Sequence, residues 1–297
     1  MIAIIPSFLS SLSDSLLEII PQLHQDIKPL QFNEVLVSLY RLVLSTLSLF
    51  FLPFTFIALL ANGIPRIYGN LQLKKLANKF ADKDQVPNAV FKKEIQKIVS
   101  KRLPGAIYYC LSGQITIWLI SIFGTTSSIG QIGAISRFSM ALTIFSSLIS
   151  TLVVPRFSRL NNEGALLLKY YLRILFLLIL LSLSIIWVTS SFASQLLWIL
   201  GREYLTLNNA LVFSIIGGCV NLLVTTTFLL STSKGWILSP KISIPLNILT
   251  IIVGVIIFNV SSIMGILYLN ITISAAQFLM LSAYLIYSIV KLKIKQN

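Results

Sequence analysis

Apolar residues arrive along this chain in long unbroken runs, without the strict alternation of a half-buried strand. Seven of these runs are long enough to cross a hydrocarbon core about 30 Å thick as helices. They cover residues 39–60, 105–124, 130–154, 170–191, 207–230, 240–259 and 263–288. The separators are mostly short and carry turn formers: Gly124-Thr-Thr-Ser-Ser, Asn161-Asn-Glu-Gly, Gly201-Arg-Glu, Ser233-Lys-Gly and Asn259-Val-Ser-Ser. The pattern predicts an all-α polytopic membrane protein with about seven transmembrane helices.

Two stretches depart from this rhythm. In the linker at residues 61–104, Val90, Phe91, Ile95, Ile98, Val99 and Leu103 recur at steps of mostly three or four, and Lys92, Lys93, Lys97 and Lys101 take much of the remaining surface. Such a helix lies along the headgroups, with its lysines on anionic lipid and its apolar stripe dipping inward. Residues 1–38 form the other stretch. The first residues have no basic group ahead of their apolar positions, and Pro6, Asp14 and Glu18 interrupt them, so residues 1–20 read as an interfacial or broken helix rather than a signal peptide. The chain is therefore expected to divide into an extracytoplasmic segment (1–38), one helix (39–60), a basic cytoplasmic linker (61–104), a six-helix lobe (105–290) and a basic tail (291–297).

Composition agrees. Charged residues make up 11% of the chain, against about 25% in soluble domains, and mean hydropathy is +0.89. Charge placement then sets orientation. Ten basic residues fall in 61–104, from Arg66 to Arg102, against Asp82, Asp84 and Glu94. Alternate loops are basic as well: Arg156, Arg159 and Lys169, then Lys234, then Lys291, Lys293 and Lys295. The intervening loops carry little net charge. This predicts an outer N-terminus and a cytoplasmic C-terminus.

Candidate chemistry centres on Arg137. It sits about 12 Å into its span from the outer end, in a run of apolar and small residues with no acidic group. An arginine at that depth costs roughly 2.5–3.5 kcal/mol on insertion scales, so it faces a wet cavity or a partner, or else snorkels to the interface. Its planar fork suits phosphate. Gln131 and Gln114 could add donors to the same cavity or act as interhelical glue. Arg156 and Arg159 read either as cytoplasmic anchors or as a basic cavity mouth. An arginine at that depth, on a chain of net charge +14, suggests a route or socket for something anionic.

Three stretches carry a resemblance to a known family. Gly113-Gln-Ile-Thr-Ile-Trp-Leu-Ile-Ser-Ile-Phe-Gly124, then Gly133-Ala-Ile-Ser-Arg-Phe138 leading to Val154-Pro-Arg-Phe-Ser-Arg159, and Leu200-Gly-Arg-Glu-Tyr-Leu205 resemble the seventh helix, the eighth helix with its cytoplasmic turn, and the outer turn before the tenth helix of Wzx-type polysaccharide and O-antigen flippases. That family belongs to the multidrug/oligosaccharidyl-lipid/polysaccharide exporter (MOP) superfamily, which also holds the MATE transporters. The resemblance covers about residues 39–290 and implies the C-terminal lobe with one helix preceding it. It implies translocation of undecaprenyl-pyrophosphate-linked oligosaccharide across the bacterial inner membrane, by a truncated or split form or with a companion chain supplying the N-terminal lobe. Arg137, Gln131, Gln114, Arg156 and Arg159 would then form a cationic cavity for the pyrophosphate.

Other classes are less well supported. No Asp or Glu falls within the seven predicted spans, which argues against a proton or sodium relay in this lobe. His24 is the only histidine, and no G-x-x-x-x-G-K-[ST] loop is present, so metal chemistry, histidine catalysis and direct ATP use are not expected. Cys110 and Cys219 lie in apolar segments and read as small hydrophobes. The linker lacks interleaved aromatics, so no nucleic-acid partner is expected. No cofactor is implied and no enzyme activity is expected. The alternatives are a membrane-embedded polysaccharide polymerase or glycosyltransferase, for which the outer loops are small, and a non-transporting seven-helix assembly protein.

Overall fold

The computed structural model describes residue 17 and residues 27–51, 54–80, 89–161 and 163–296. The chain divides into two compact units, Met1–Lys92 and Lys93–Asn297. Among the described residues the secondary structure is helical, and no strand occurs. The broken helix expected over residues 1–20 lies outside the described residues, Leu17 apart.

The first unit holds α1 (Ile27–Phe51) and α2 (Thr55–Phe80). They pack as an antiparallel hairpin. Asn33 Nδ2 donates to Gly69 O at 3.3 Å, and Arg41 Nε donates to Asn62 Oδ1 at 2.8 Å, so positions pair in opposite directions along the two helices. Every fourth residue of α2 from Ala61 to Ala77 is buried, namely Ala61, Pro65, Gly69, Leu73 and Ala77, which is the i, i+4 ridge that seats against a neighbouring helix. The expected span over residues 39–60 overlaps the later part of α1 and the start of α2, and Pro53 falls between these two helices in the sequence.

The second unit contains six stretches long and apolar enough to cross a membrane: Leu103–Phe123, Ser127–Ser158, Gly164–Ser191, Arg202–Ser233, Pro240–Ile257 and Ile263–Leu292. They match the last six predicted spans to within a turn or two of helix at each end. The chain is an all-α polytopic membrane protein. Its helices here are α3 (Ala89–Ser112), α4 (Ile115–Phe123), α5 (Thr126–Met140), α6 (Leu142–Leu148), α7 (Val154–Ser158), α8 (Gly164–Ser191), α9 (Ala193–Leu200), α10 (Asn208–Ser233), α11 (Pro240–Ile257) and α12 (Ile263–Gln296). The amphipathic stretch expected over 88–103 is the first part of α3, which continues through Pro104 into the membrane-length segment. Its apolar positions Val90, Phe91, Ile95, Val99 and Leu103 are exposed.

Helix α10 is the hub. It packs most extensively along α12 and also against α5, α6, α7 and α8, and its segment is the most buried of the six. One apolar cluster gathers Ile135, Leu142, Leu197, Leu211 and Ile215 toward the Gly201 turn, and a second gathers Phe157, Leu167, Tyr171, Leu230 and Leu285 toward Lys234. Gly201 adopts φ 126°, a region closed to most L-residues, so that turn requires glycine. Cys110 and Cys219 are free thiols.

Polar contacts hold these helices in register. The fully buried Tyr171 donates its hydroxyl to Ser282 Oγ at 2.9 Å and lies 3.4 Å from Thr227 Oγ1, joining α8, α10 and α12. Lys234, just past α10, donates through Nζ to Ser158 O at 3.0 Å and Leu160 O at 2.7 Å. Its ammonium thereby caps carbonyls at the end of α7, where a cation also complements the helix dipole.

The hairpin predicts that cysteines placed at Lys28 and Lys79 react with an impermeant maleimide from the same side of the membrane. Labelling from opposite sides would restore a single crossing. Replacing Tyr171 with Phe is expected to cost about 0.6–2 kcal/mol, the range for interhelical hydrogen bonds in membranes, read as a lower melting temperature of the purified protein.

Candidate functional site

Two helix interruptions shape the centre of the second unit. The Leu103–Phe123 segment breaks at Gly113-Gln114, between α3 and α4. There Gln114 N–H donates to Leu111 O at 3.0 Å, the shorter reach of a turn. The Ser127–Ser158 segment turns at Ala141, whose N–H donates back to Phe138 O and Ser139 O. Further along, residues Ile149–Val153 form a π-helical turn, with Val154 N–H bonded to Ile149 O. Pro155 follows and has no N–H to give, so the wide turn falls where the regular ladder has to end.

Beside these interruptions lies a cavity of about 450 Å³, within the range of roughly 300–1,000 Å³ typical of small-molecule sites. Ser112, Gly113 and Thr116 line it from the broken helix, and Ser136 and Ser139 from α5. On the other sides stand Ser214, Gly217, Gly218 and Asn221 of α10, and Asn270, Ser274 and Gln277 of α12. Most of these residues fall well inside their membrane-length segments, away from the segment ends. The cavity wall includes no Asp, Glu, Lys, Arg or His among the described residues.

Several wall groups are already engaged. Thr116 Oγ1 donates to Asn270 Oδ1 at 2.7 Å, which links α4 to α12 and leaves the Asn270 amide nitrogen as donor. Ser139 and Ser214 share a hydroxyl contact of 2.9 Å, and Ser139 Oγ also lies 3.2 Å from Ser214 O. Phe213 and Tyr268 meet edge to face, with centroids 4.9 Å apart. At Gly218 a Cβ would stand 2.6 Å from Leu142 Cδ1 of α6 and 3.4 Å from Ser139 Cβ of α5.

No protein-family model, curated protein or solved structure matches this chain.

The residues singled out from sequence stand around this cavity rather than in its wall. Gln114 is exposed and follows the wall residue Gly113; Gln131 is half-buried and precedes the wall residue Ile132. Arg137 is exposed between the wall residues Ser136 and Ser139, with no hydrogen-bond partner among the described residues. It belongs to an exposed stripe of its segment that also holds Gly133, Met140 and Ile144. Arg156 and Arg159 lie about 28 Å or more further along the same segment, exposed, at the end where Lys234 caps carbonyls. Gln114, Gln131 and Arg137 each neighbour a wall residue in sequence without lining the cavity, and Arg156 and Arg159 lie apart from it.

What sequence reasoning missed is the neutral wall. Ser214, Gly217, Gly218 and Asn221 repeat at i, i+3, i+4 and i+7, and Asn270, Ser274 and Gln277 at i, i+4 and i+7, the one-face pattern of a helix. Each polar residue alone reads as interhelical glue, whereas two matching polar faces in adjacent apolar spans signal a shared cavity.

Replacing Gly218 with Val is expected to push α5 from α10 and part Ser139 from Ser214, at a cost of about 1–3 kcal/mol for overpacking. The readouts are melting temperature and reduced maleimide access to a cysteine placed at Ser274. Gly218→Ala is expected to be milder, since the Leu142 side chain can turn aside.

Proposed function

We propose that this chain moves an undecaprenyl-pyrophosphate-linked oligosaccharide across the bacterial inner membrane for surface polysaccharide or O-antigen export, as one lobe of a flippase whose other lobe a companion chain supplies. The observation that carries this reading is the uncharged cavity beside a broken helix, lined by hydroxyls and amides together with apolar side chains such as Ile132, Phe213 and Ile251. Transport sites in membranes recur at such places, because an interrupted helix frees backbone groups where a polar cargo passes. Sugars meet hydroxyls and amides in the cavity, and the polyprenyl tail stays in lipid.

Arg137 supplies the cationic element. An exposed guanidinium at membrane depth has to be met by water, an anion or a partner helix, and a pyrophosphate passing the cavity rim satisfies it. The same exposed stripe is where a companion lobe would close the route. Arg156, Arg159 and Lys234, at the end expected to be cytoplasmic, draw the anionic headgroup toward the entrance. On this reading the linker and the C-terminal tail face the cytoplasm, and no bond is made or broken in the cargo.

Complementation of a flippase-null, O-antigen-deficient strain tests this, with the chain expressed alone and with a companion N-terminal lobe. Surface polysaccharide is expected to return with the companion, to disappear in Arg137→Ala and to persist in part in Arg137→Lys, at matched membrane expression. No restoration in either arrangement would sink the reading.

A further inference from the structure

Three carboxamides, Asn221, Asn270 and Gln277, reach a cavity wall with no formal charge among the described residues. They come from two helices, and the Thr116 hydroxyl fixes one of them by occupying Asn270 Oδ1. The helix break adds little net field. The negative C-terminal end of α3 and the positive N-terminal end of α4 meet at Gly113-Gln114 and largely cancel.

We infer that this cavity reads the neutral glycan portion of its cargo and rejects acidic sugars, with Asn221, Asn270 and Gln277 as the specificity-determining residues. This inference rests on the proposed reading that the cargo carries a glycan. A carboxamide offers donor and acceptor together and so matches neighbouring sugar hydroxyls in either orientation. A uronate carboxylate entering the same wall would give up part of its water with no cation in that wall to replace it, which is disfavoured more strongly than doing the same with a hydroxyl. Recognition therefore divides in space. Arg137, on the exposed stripe, senses the phosphate common to every cargo, and the amides sense the glycan that differs between cargoes.

The test is equilibrium binding to the full chain in phospholipid nanodiscs with three probes. These are an undecaprenyl-pyrophosphate-linked neutral trisaccharide, the same lipid with one residue replaced by a uronic acid, and undecaprenyl pyrophosphate without sugar. The neutral glycolipid is expected to bind about tenfold or more tighter than the acidic one, a difference of about 1.4 kcal/mol or more. Combining Asn270→Leu with Gln277→Leu is expected to bring the neutral glycolipid down to the level of the sugar-free carrier and to leave the carrier itself unchanged. Arg137→Ala is expected to weaken all three probes alike.

Equal or tighter binding of the acidic probe by the wild type would overturn the inference, as would a folded double variant that keeps the preference. Should the double variant not fold, Gln277→Lys decides: a preference shifted toward the acidic probe supports the amide wall, and an unmoved preference rejects it. If no carrier-linked probe binds, the flippase reading fails by itself, and the free neutral trisaccharide is tested directly. Binding that is lost in Gln277→Leu would keep the neutral-glycan site, and no binding would remove it.

Discussion

Helix α10 packs against α5, α6, α8 and α12 together, and at Gly218 a Cβ would stand 2.6 Å from Leu142 Cδ1 of α6. In lipid, little is gained by moving a leucine from acyl chains to protein, so helices associate through close van der Waals packing and interhelical hydrogen bonds. Gly218 supplies the first, since any Cβ there meets Leu142. The second comes from the Ser139–Ser214 pair on the same helix contact and from Tyr171 with Thr227 and Ser282 toward the other end of α10. Beyond that end, Lys234 fastens the turn after α10 to the carbonyls ending α7. Partial burial holds the Lys234 ammonium below its ordinary pKa, and the ammonium donates hydrogen bonds to the two carbonyl oxygens.

The cavity follows from the same packing. Gly218 leaves room for Leu142 and Ser139 beside α10, and the regular helices beside it are interrupted at Gly113-Gln114 and Ala141. Space opens where a regular helix cannot follow. Every interruption frees backbone groups that lipid cannot satisfy, so interrupted segments belong beside protein or polar space. The polar wall and the broken helices are therefore one feature seen twice.

Much of this was legible in the sequence. Six of the seven predicted spans recur because a bilayer imposes a minimum apolar length, and composition alone reports that length. The run over residues 39–60 overlaps parts of two antiparallel helices, which hydropathy could not announce because it has no direction. Arg137 stood out because a charge in an apolar run is conspicuous, whereas Asn221, Asn270 and Gln277 did not, because a single amide in a span is ordinarily interhelical glue. Only the pairing of helices decides whether such a face meets a neighbour or a space, and that pairing depends on contacts between residues as distant in sequence as Thr116 and Asn270.

Keeping formal charge out of the cavity also suits a transport role. A cargo has to enter its site and leave it again, so binding must be favourable yet shallow at each position. A buried arginine clamped on pyrophosphate in a dry cavity would form strong, bidentate, charge-assisted bonds and hold the cargo where it bound. Neutral hydroxyls and amides exchange their hydrogen bonds with water and sugar at a small net difference, which permits selection without trapping. Under the proposed function, placing Arg137 on the exposed stripe beside the cavity keeps the strong interaction where water can compete with it, and leaves the discriminating interaction to groups weak enough to let go.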